Sequence, residues 1–547
     1  MMTLSYPRII IIYRSILTAI LILFGLSQLP AQLSGVYKIG GYNPHYTTIK
    51  EAVSHLRTEG VSGPVRFDIR RGLYAEQVSL PRIWGSSWVN TITFQSESGN
   101  ADDVIIRYLP SRNEEQYIFT LDNARHYRLI NLRLESVIFG GVIKMVNEAY
   151  DLRIEGCKLY SPDVVSGRVE HAVIYLSPSK ATSVHIRGND VQGGAYGINF
   201  YMNPGAYSAG TQITDNVISR YYHSGVIISN LSGGKFTGNK IIRGSYIPDT
   251  ANGLTISGWN GTTQRPVLIA NNFVDISNGN QSAVGIFNCN NLHFLNNSLR
   301  QVNDQTVFRI SRTQAAAVFN NIFRGGTGYS VFISENSSLR MDYNDLLTDG
   351  PYLARIESSN ATSLDSWKRL SGHDYFSISV DPQFYRDLHA KSTSLVGAGV
   401  AQPDVYVDID GQPRNNPPCI GADEFKKCPD YLFWPTPCTF PYLQSDYNSG
   451  GVDMGIPNLL SKINAPERLV FPNPVVNDLT VLLNDGYTGP VTFTVLDGMG
   501  RRVSQMDYEK EGADLRVEFL VQHLTPGVYQ LQITEGQEVS VERFVKR

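Results

Sequence analysis

The sequence predicts an all-β protein: a right-handed parallel β-helix with a small N-terminal α/β cap and a C-terminal β-sandwich. Three observations predict it. Asparagine recurs at 189, 216, 239, 272, 297, 321 and 344, with an apolar residue three positions before and two positions after each. Each interval of 23 to 33 residues holds about three short apolar strands and no helical period. From residue 466 the pattern changes to longer alternating strands.

Composition agrees with this class. The 547 residues carry 47 Lys+Arg against 50 Asp+Glu, a net charge of −3, which argues against a dedicated nucleic-acid binder. With 18% charged and 42% hydrophobic residues, the chain has enough apolar side chains for a large core. Gly 48, Pro 27 and Tyr 30 favour turns and strands. Five cysteines are too few for a disulfide-built scaffold.

Residues 1–31 read as a signal peptide. Arg8 and Arg14 precede the apolar run Ile16 to Leu26, and Pro30-Ala31 follow. The run is short for a membrane span, so an uncleaved anchor is the competing reading. Residues 32–110 read as the cap. Thr48-Ile49-Lys50-Glu51 has the capping-box pattern, and Ile49, Ala52, Val53 and Leu56 share one helical face that ends at Gly60. A solenoid end exposes apolar cross-section and unpaired strand edges, which a cap covers.

Residues 111–425 read as the β-helix with its closing segment. Cys157 takes the asparagine place one copy before Asn189, and Leu132 continues the phase upstream, giving nine coils. Matching residues should stack about 4.8 Å apart. Asparagine suits this place because it tolerates a left-handed turn and its amide can bond the equivalent residue on the next coil. The ladder is therefore structural, and Cys157 is a small buried substitute. On this phased ladder the stretch from about 110 to 425 resembles the β-helix repeat proteins of the pectate-lyase-like superfamily. That resemblance implies fold rather than activity: many relatives bind or cleave polysaccharides, and others are surface proteins.

Asp342 to Phe425 breaks the phase and resembles the terminal segment of secreted bacterial β-helix proteins, through Asp381-Pro382-Gln383-Phe384, Asp408-Ile409-Asp410-Gly411 and Gly421-Ala422-Asp423-Glu424-Phe425. Asp408-x-Asp410-Gly411 starts like a calcium loop but lacks the later ligands, so a turn with Arg414 paired to a carboxylate is expected. Residues 426–465 read as a linker, rich in Pro and Gly. Two of Cys419, Cys428 and Cys438 could pair there; the spacing does not say which two.

Residues 466–547 have alternating strands around Leu479, Val481, Leu483, then Val491, Phe493, Val495, then Tyr529, Leu531, Ile533. Four motifs occur in order: Phe471-Pro472-Asn473-Pro474, Val495-Leu496-Asp497-Gly498-x-Gly500-Arg501, Leu524-x-x-Gly527-Val528-Tyr529-x-Leu531 and the basic end Lys546-Arg547. On these the domain resembles the C-terminal sorting domain of the type IX secretion system. The resemblance implies that the secretion machinery and a sortase are partners, with release or attachment to surface lipopolysaccharide of a Gram-negative bacterium. A carbohydrate-binding sandwich is the competing reading.

A solenoid flank is a long row of stacked side chains suited to a linear polymer. Arg220 and Arg243 each lie four residues after a ladder asparagine, and His223 follows Arg220 beside Tyr221 and Tyr222. Arg220, His223 and Arg243 are the candidate catalytic residues: a uronate lyase needs cations on the carboxylate and a base for the C5 proton. Tyr221, Tyr222, Lys240 and Trp259 are candidate binding residues, with Tyr196 a further stacking candidate. No metal or cofactor is expected. The paired carboxylates of a glycosidase do not emerge: Asp190 and Asp345 share a phase six coils apart. The expected function is an exported β-helix protein, secreted or attached to the cell surface, that binds glycan or a host surface. The alternative is a polysaccharide lyase, or less readily a hydrolase, on an acidic polysaccharide. Whether the protein is an enzyme stays open.

Overall fold

In the computed structural model, residues 32–110, 117–425 and 468–546 are described, apart from short breaks at 139–140, 206, 243–250, 277–280 and 336, and at 472–474, 476–477, 485–486, 498–499, 511–513, 523 and 537. The 1–31 signal segment, Arg243, the linker and Cys428 and Cys438 lie outside them. Two compact units divide at residue 427.

The first unit is a parallel β-helix. Each coil has three faces. A leading face runs into the ladder asparagine, as in Val267–Ala270; a following face leaves it, as in Phe273–Ile276; a third face comes next, as in Val284–Phe287. The following face is a sheet of eleven strands, from Gly72–Ala75 to Asp345–Leu347. Leading and third faces belong to one 23-stranded sheet, because Ile143–Glu155 and Ala172–Arg187 run through both. The nine expected coils become eleven rungs. The strands Gly72–Ala75 and Val104–Tyr108 stack in register without the asparagine phase, so the stack begins inside the expected cap.

The ladder carries its own hydrogen-bond logic. From Asn216 onward each asparagine Oδ1 accepts the side-chain and backbone N–H of the asparagine one coil earlier, at 2.8–3.2 Å, and Asn189 Oδ1 accepts Cys157 N–H at 2.8 Å. Each Nδ2 also donates to a leading-face carbonyl, such as Ile186 O from Asn216. All donors point one way, so the last one needs an acceptor. Asp374 supplies it, taking Asn344 Nδ2 at 3.0 Å, Ser377 Oγ at 2.6 Å and Trp367 Nε1 at 2.8 Å. The expected left-handed turn sits one residue earlier than proposed: Asp215, Gly238, Asn271, Asn296, Asn320 and Tyr343 have positive φ, and the ladder asparagines do not. The turn residue reverses the chain, which leaves the next side chain free to point inward.

Helix α1 (Ile49–Glu59) buries Ile49, Ala52, Val53 and Leu56 as expected. Thr48 Oγ1 caps Glu51 N–H at 3.1 Å, and the first-turn N–H groups of Ile49 and Lys50 bond the Glu76 carboxylate. Glu51 turns instead to Thr47. A second helix, α2 (Leu364–Ser371), closes the far end with a Ser363–Ser366 capping box and a fully buried Trp367.

The closing segment then runs back along the following face. Ile378 and Val380 bond the rung of Asp345; Leu395 and Ile420 bury Ile322; Leu388 and Ala422 bury Phe273. Arg414 pairs with Glu424 at 3.3 Å, both buried. Cys419 is a free buried thiol that donates to Phe425 O, and burial pushes it up to about 12.

The second unit packs a three-stranded antiparallel sheet and a four-stranded one around Leu479, Val481, Leu483, Val491, Phe493, Val495, Tyr529, Leu531 and Ile533. The nine residues expected to point inward are all buried.

Candidate functional site: the open flank of the solenoid

Outward side chains alternate with core residues along each strand, so every face carries rows at one-coil spacing. The rows differ in how their charges are balanced. On the following face nearly every cation meets a carboxylate. Arg300 bonds Asp275 at 3.0 Å, Arg324 grips Asp349 with two bonds of 2.9 Å, Lys158 pairs with Asp102 and Lys240 reaches Asp410 at 3.6 Å.

The third face is different. Its outward row near the far end runs Gly285, Arg309, Phe332, Arg355. The Arg309 guanidinium lies 5.2 Å from the Phe332 ring centre and 5.8 Å from that of Phe287; Arg355 lies 5.0 Å from Phe332 on the other side. The result is a column of ring, cation, ring, cation. Gly285 is required for it, because the Phe287 ring lies 2.7 Å from where a Cβ at Gly285 would stand. Tyr329 and Tyr352 stack beside the column at 6.4 Å. Neither arginine has a carboxylate partner among the described residues; Arg355 Nε donates only to Glu357 O, and Arg309 Nε is buried without a hydrogen bond.

The leading face continues the theme on earlier coils. Its outward row is Arg128, Arg153, His185, Gln212, Lys235. Arg128 is neutralised by Asp151, which also takes His126 Nδ1 at 2.8 Å. Among the described residues Arg153 has only a long 3.8 Å contact with Glu155. Lys235 and His185 have no hydrogen-bond or ion-pair partner among the described residues. Burial, then the charges of Arg153 and Lys235, push the His185 imidazole down to about 4, so it is neutral at physiological pH.

The residues singled out from sequence fare unevenly. Arg220 is consumed by Asp163 at 2.8 Å. His223 lies half-buried beside Tyr196, with ring centres 4.9 Å apart and burial lowering its pKa. The loop around Gly167 lies over this pair and accepts the Tyr196 hydroxyl at 2.9 Å. Tyr222 is partly buried. Lys240 sits over the Phe273 ring, under the closing segment's Asp410. Tyr221 and Trp259 are fully buried, so neither can stack on a sugar. Trp259 follows the left-handed Gly258, points into the core and donates to Gly233 O at 2.7 Å. Asp190 and Asp345 are six rungs apart, as the phase required.

Residues 469–547 match the family model described as the secretion system C-terminal sorting domain. No curated protein matches the chain in sequence. Among solved structures, the periplasmic alginate epimerase AlgG aligns at 12% identity over 59% of this chain and 82% of its own, with a TM-score of 0.33. The A-module of the Azotobacter vinelandii mannuronan C-5 epimerase AlgE4 aligns at 11% over 61% and 91%, with 0.34. Pectin methylesterase PemA from Erwinia chrysanthemi aligns at 10% over 47% and 82%, with 0.31. This chain therefore joins a parallel β-helix to a C-terminal domain of the secretion-system sorting family, which implies its export.

Proposed function

We propose that this protein binds an anionic polysaccharide along its open flank, after delivery to the outer surface of a Gram-negative cell. The column of Phe287, Arg309, Phe332 and Arg355 carries the reading. Stacked rings offer apolar faces to the C–H side of sugars, and guanidinium groups bind carboxylates or sulfates in forked pairs. Two cations two coils apart, without counter-charges among the described residues, are unfavourable until a ligand supplies anions. A polymer matches this because the row repeats along the solenoid axis.

The sorting domain supports the export route. Removal of that domain by a sortase, with attachment to surface lipopolysaccharide, is part of the proposal. Deleting 466–547 is expected to leave the protein in the periplasm; normal surface display of the truncated chain would remove that part.

A lyase reading rests on His185. A neutral imidazole between Arg153 and Lys235 has the protonation state of a general base, and the cations would stabilise the enolate formed when the C5 proton leaves. The test is the mature chain on a panel of neutral, uronate and sulfated polymers, followed by affinity electrophoresis and by ultraviolet absorbance of unsaturated uronates. Retardation by anionic polymers alone supports the binding protein. New absorbance that disappears in His185→Ala supports the lyase. Equal retardation by neutral polymers, or none at all, sinks both.

A further inference from the structure

The closing segment builds a second cluster, apart from the open flank. It brings His389, Asp410 and Asp423 together beside Lys240, with one nitrogen or oxygen of each within 4.8 Å of the other two. His389 Nδ1 lies 2.9 Å from Asp387 Oδ2, and Nε2 lies 2.7 Å from Asp410 Oδ2. A neutral imidazole has one N–H, so it can satisfy only one of these carboxylates. The second contact needs a further proton, on the imidazole or on a carboxyl group, or a metal.

Asp423 adds an independent observation. It is 8% exposed, and its carboxylate, aimed into the cluster, has no hydrogen bond or salt bridge among the described residues. Its backbone is pinned, because Glu424 N–H donates to Asp408 at 3.0 Å and Ala422 N–H to Ser298 Oγ at 3.0 Å. A buried carboxylate without donors is costly, whereas a cation between it and its neighbours compensates the charge. Asp408 is a different matter: its oxygens are spent on the N–H groups of Asp410, Gln412 and Glu424, so this is not the calcium loop the Asp-x-Asp-Gly spelling suggests.

We propose that His389 Nε2, Asp410 and Asp423 bind a zinc ion that cross-links two stretches of the closing segment where it lies on the solenoid. One imidazole and two carboxylates, with water in the fourth position, make a tetrahedral N/O set; calcium asks for six or more oxygens. Asp387 on Nδ1 is the outer partner that fixes the tautomer, so that the Nε2 lone pair, 2.7 Å from Asp410 Oδ2 without the ion, would turn to the metal. The ion joins residues 389, 410 and 423, and Lys240 on the solenoid pairs with the other oxygen of Asp410, Oδ1, at 3.6 Å.

The test is zinc titration of the chelator-treated full chain, by calorimetry and by thermal unfolding. One equivalent is expected to bind and to raise Tm by roughly 3 °C. Asp423→Asn, which keeps the shape, is expected to weaken binding at least about tenfold while leaving the metal-free Tm no lower than in the parent. Replacing Cys428 and Cys438 with Ser is expected to change nothing. No binding overturns the proposal, as does binding that Asp423→Asn leaves undiminished. An NMR titration showing His389 protonated on both nitrogens in the presence of excess zinc overturns it as well.

Discussion

The following face and the third face come from the same repeat, yet their outward rows meet opposite fates. On the following face Phe273 and Ile322 are apolar and lie under the closing segment, and the cations there are neutralised by carboxylates. On the third face Arg309 and Arg355 alternate with rings and have no acidic partner among the described residues. Stability is concentrated on the first flank, and unsatisfied recognition chemistry on the second. A flank that has been covered and neutralised cannot also serve a polymer.

The sharpest way to break this comparison is to place the same charge on each flank. Phe273→Asp puts a carboxylate under the closing segment and is expected to cost at least about 4 kcal/mol. Thr255→Asp, on the third-face row, is expected to stay within about 0.5 kcal/mol. Urea unfolding of both variants, with limited proteolysis of residues 380–425, measures the contrast; equal losses would end the distinction.

Gly285→Ala should come next. The new methyl displaces the Phe287 ring from the column, at a cost of about 1–3 kcal/mol with weaker polymer retardation. Unchanged stability and unchanged retardation would mean the ring has no role there.

Arg309→Gln with Arg355→Gln is expected to weaken binding of anionic polymer about tenfold, with little change in Tm. Arg220→Ala, whose partner is Asp163, is the matched control and should leave retardation untouched. Equal effects would place recognition elsewhere.

The smallest effect concerns pH. Burial pushes Asp345 up to about 8, and its Oδ2 is buried without a partner while Oδ1 accepts Val380 N–H at 2.9 Å. A folded-state value above the unfolded one means that the stability contributed by the protonated form is fully present below about pH 4 and is lost as pH rises through 8. Asp345→Asn should therefore flatten Tm between pH 5 and 8.5 and raise it at the alkaline end. A variant with the parent's pH profile would assign the dependence to another group.

Much of the solenoid was legible because a repeat is nearly one-dimensional: each asparagine needs only its neighbours on adjacent coils. The six-rung separation of Asp190 and Asp345 came from counting alone. Helix α2 was not legible, since eight residues with one buried side chain, Trp367, leave no periodic stripe. Trp259 is a core residue rather than a surface ring, and the sequence holds a signal for it. Leu231, Trp259, Cys289 and Thr313 each follow a left-handed residue at Asn230, Gly258, Asn288 and Arg312, and together mark a second inward turn.

By itself the sequence determined the coil repeat, the ladder, the α1 face and the sorting domain, because each depends on contacts between residues that recur at fixed spacing or lie close along the chain. Tertiary structure alone decided which flank stays open. That choice depends on a segment from beyond residue 377 folding back over rungs formed a hundred residues earlier, spending some charges on Asp410, Glu424 and their neighbours. Coulombic pairing and burial act through distance in space, and spacing along the chain does not encode that distance.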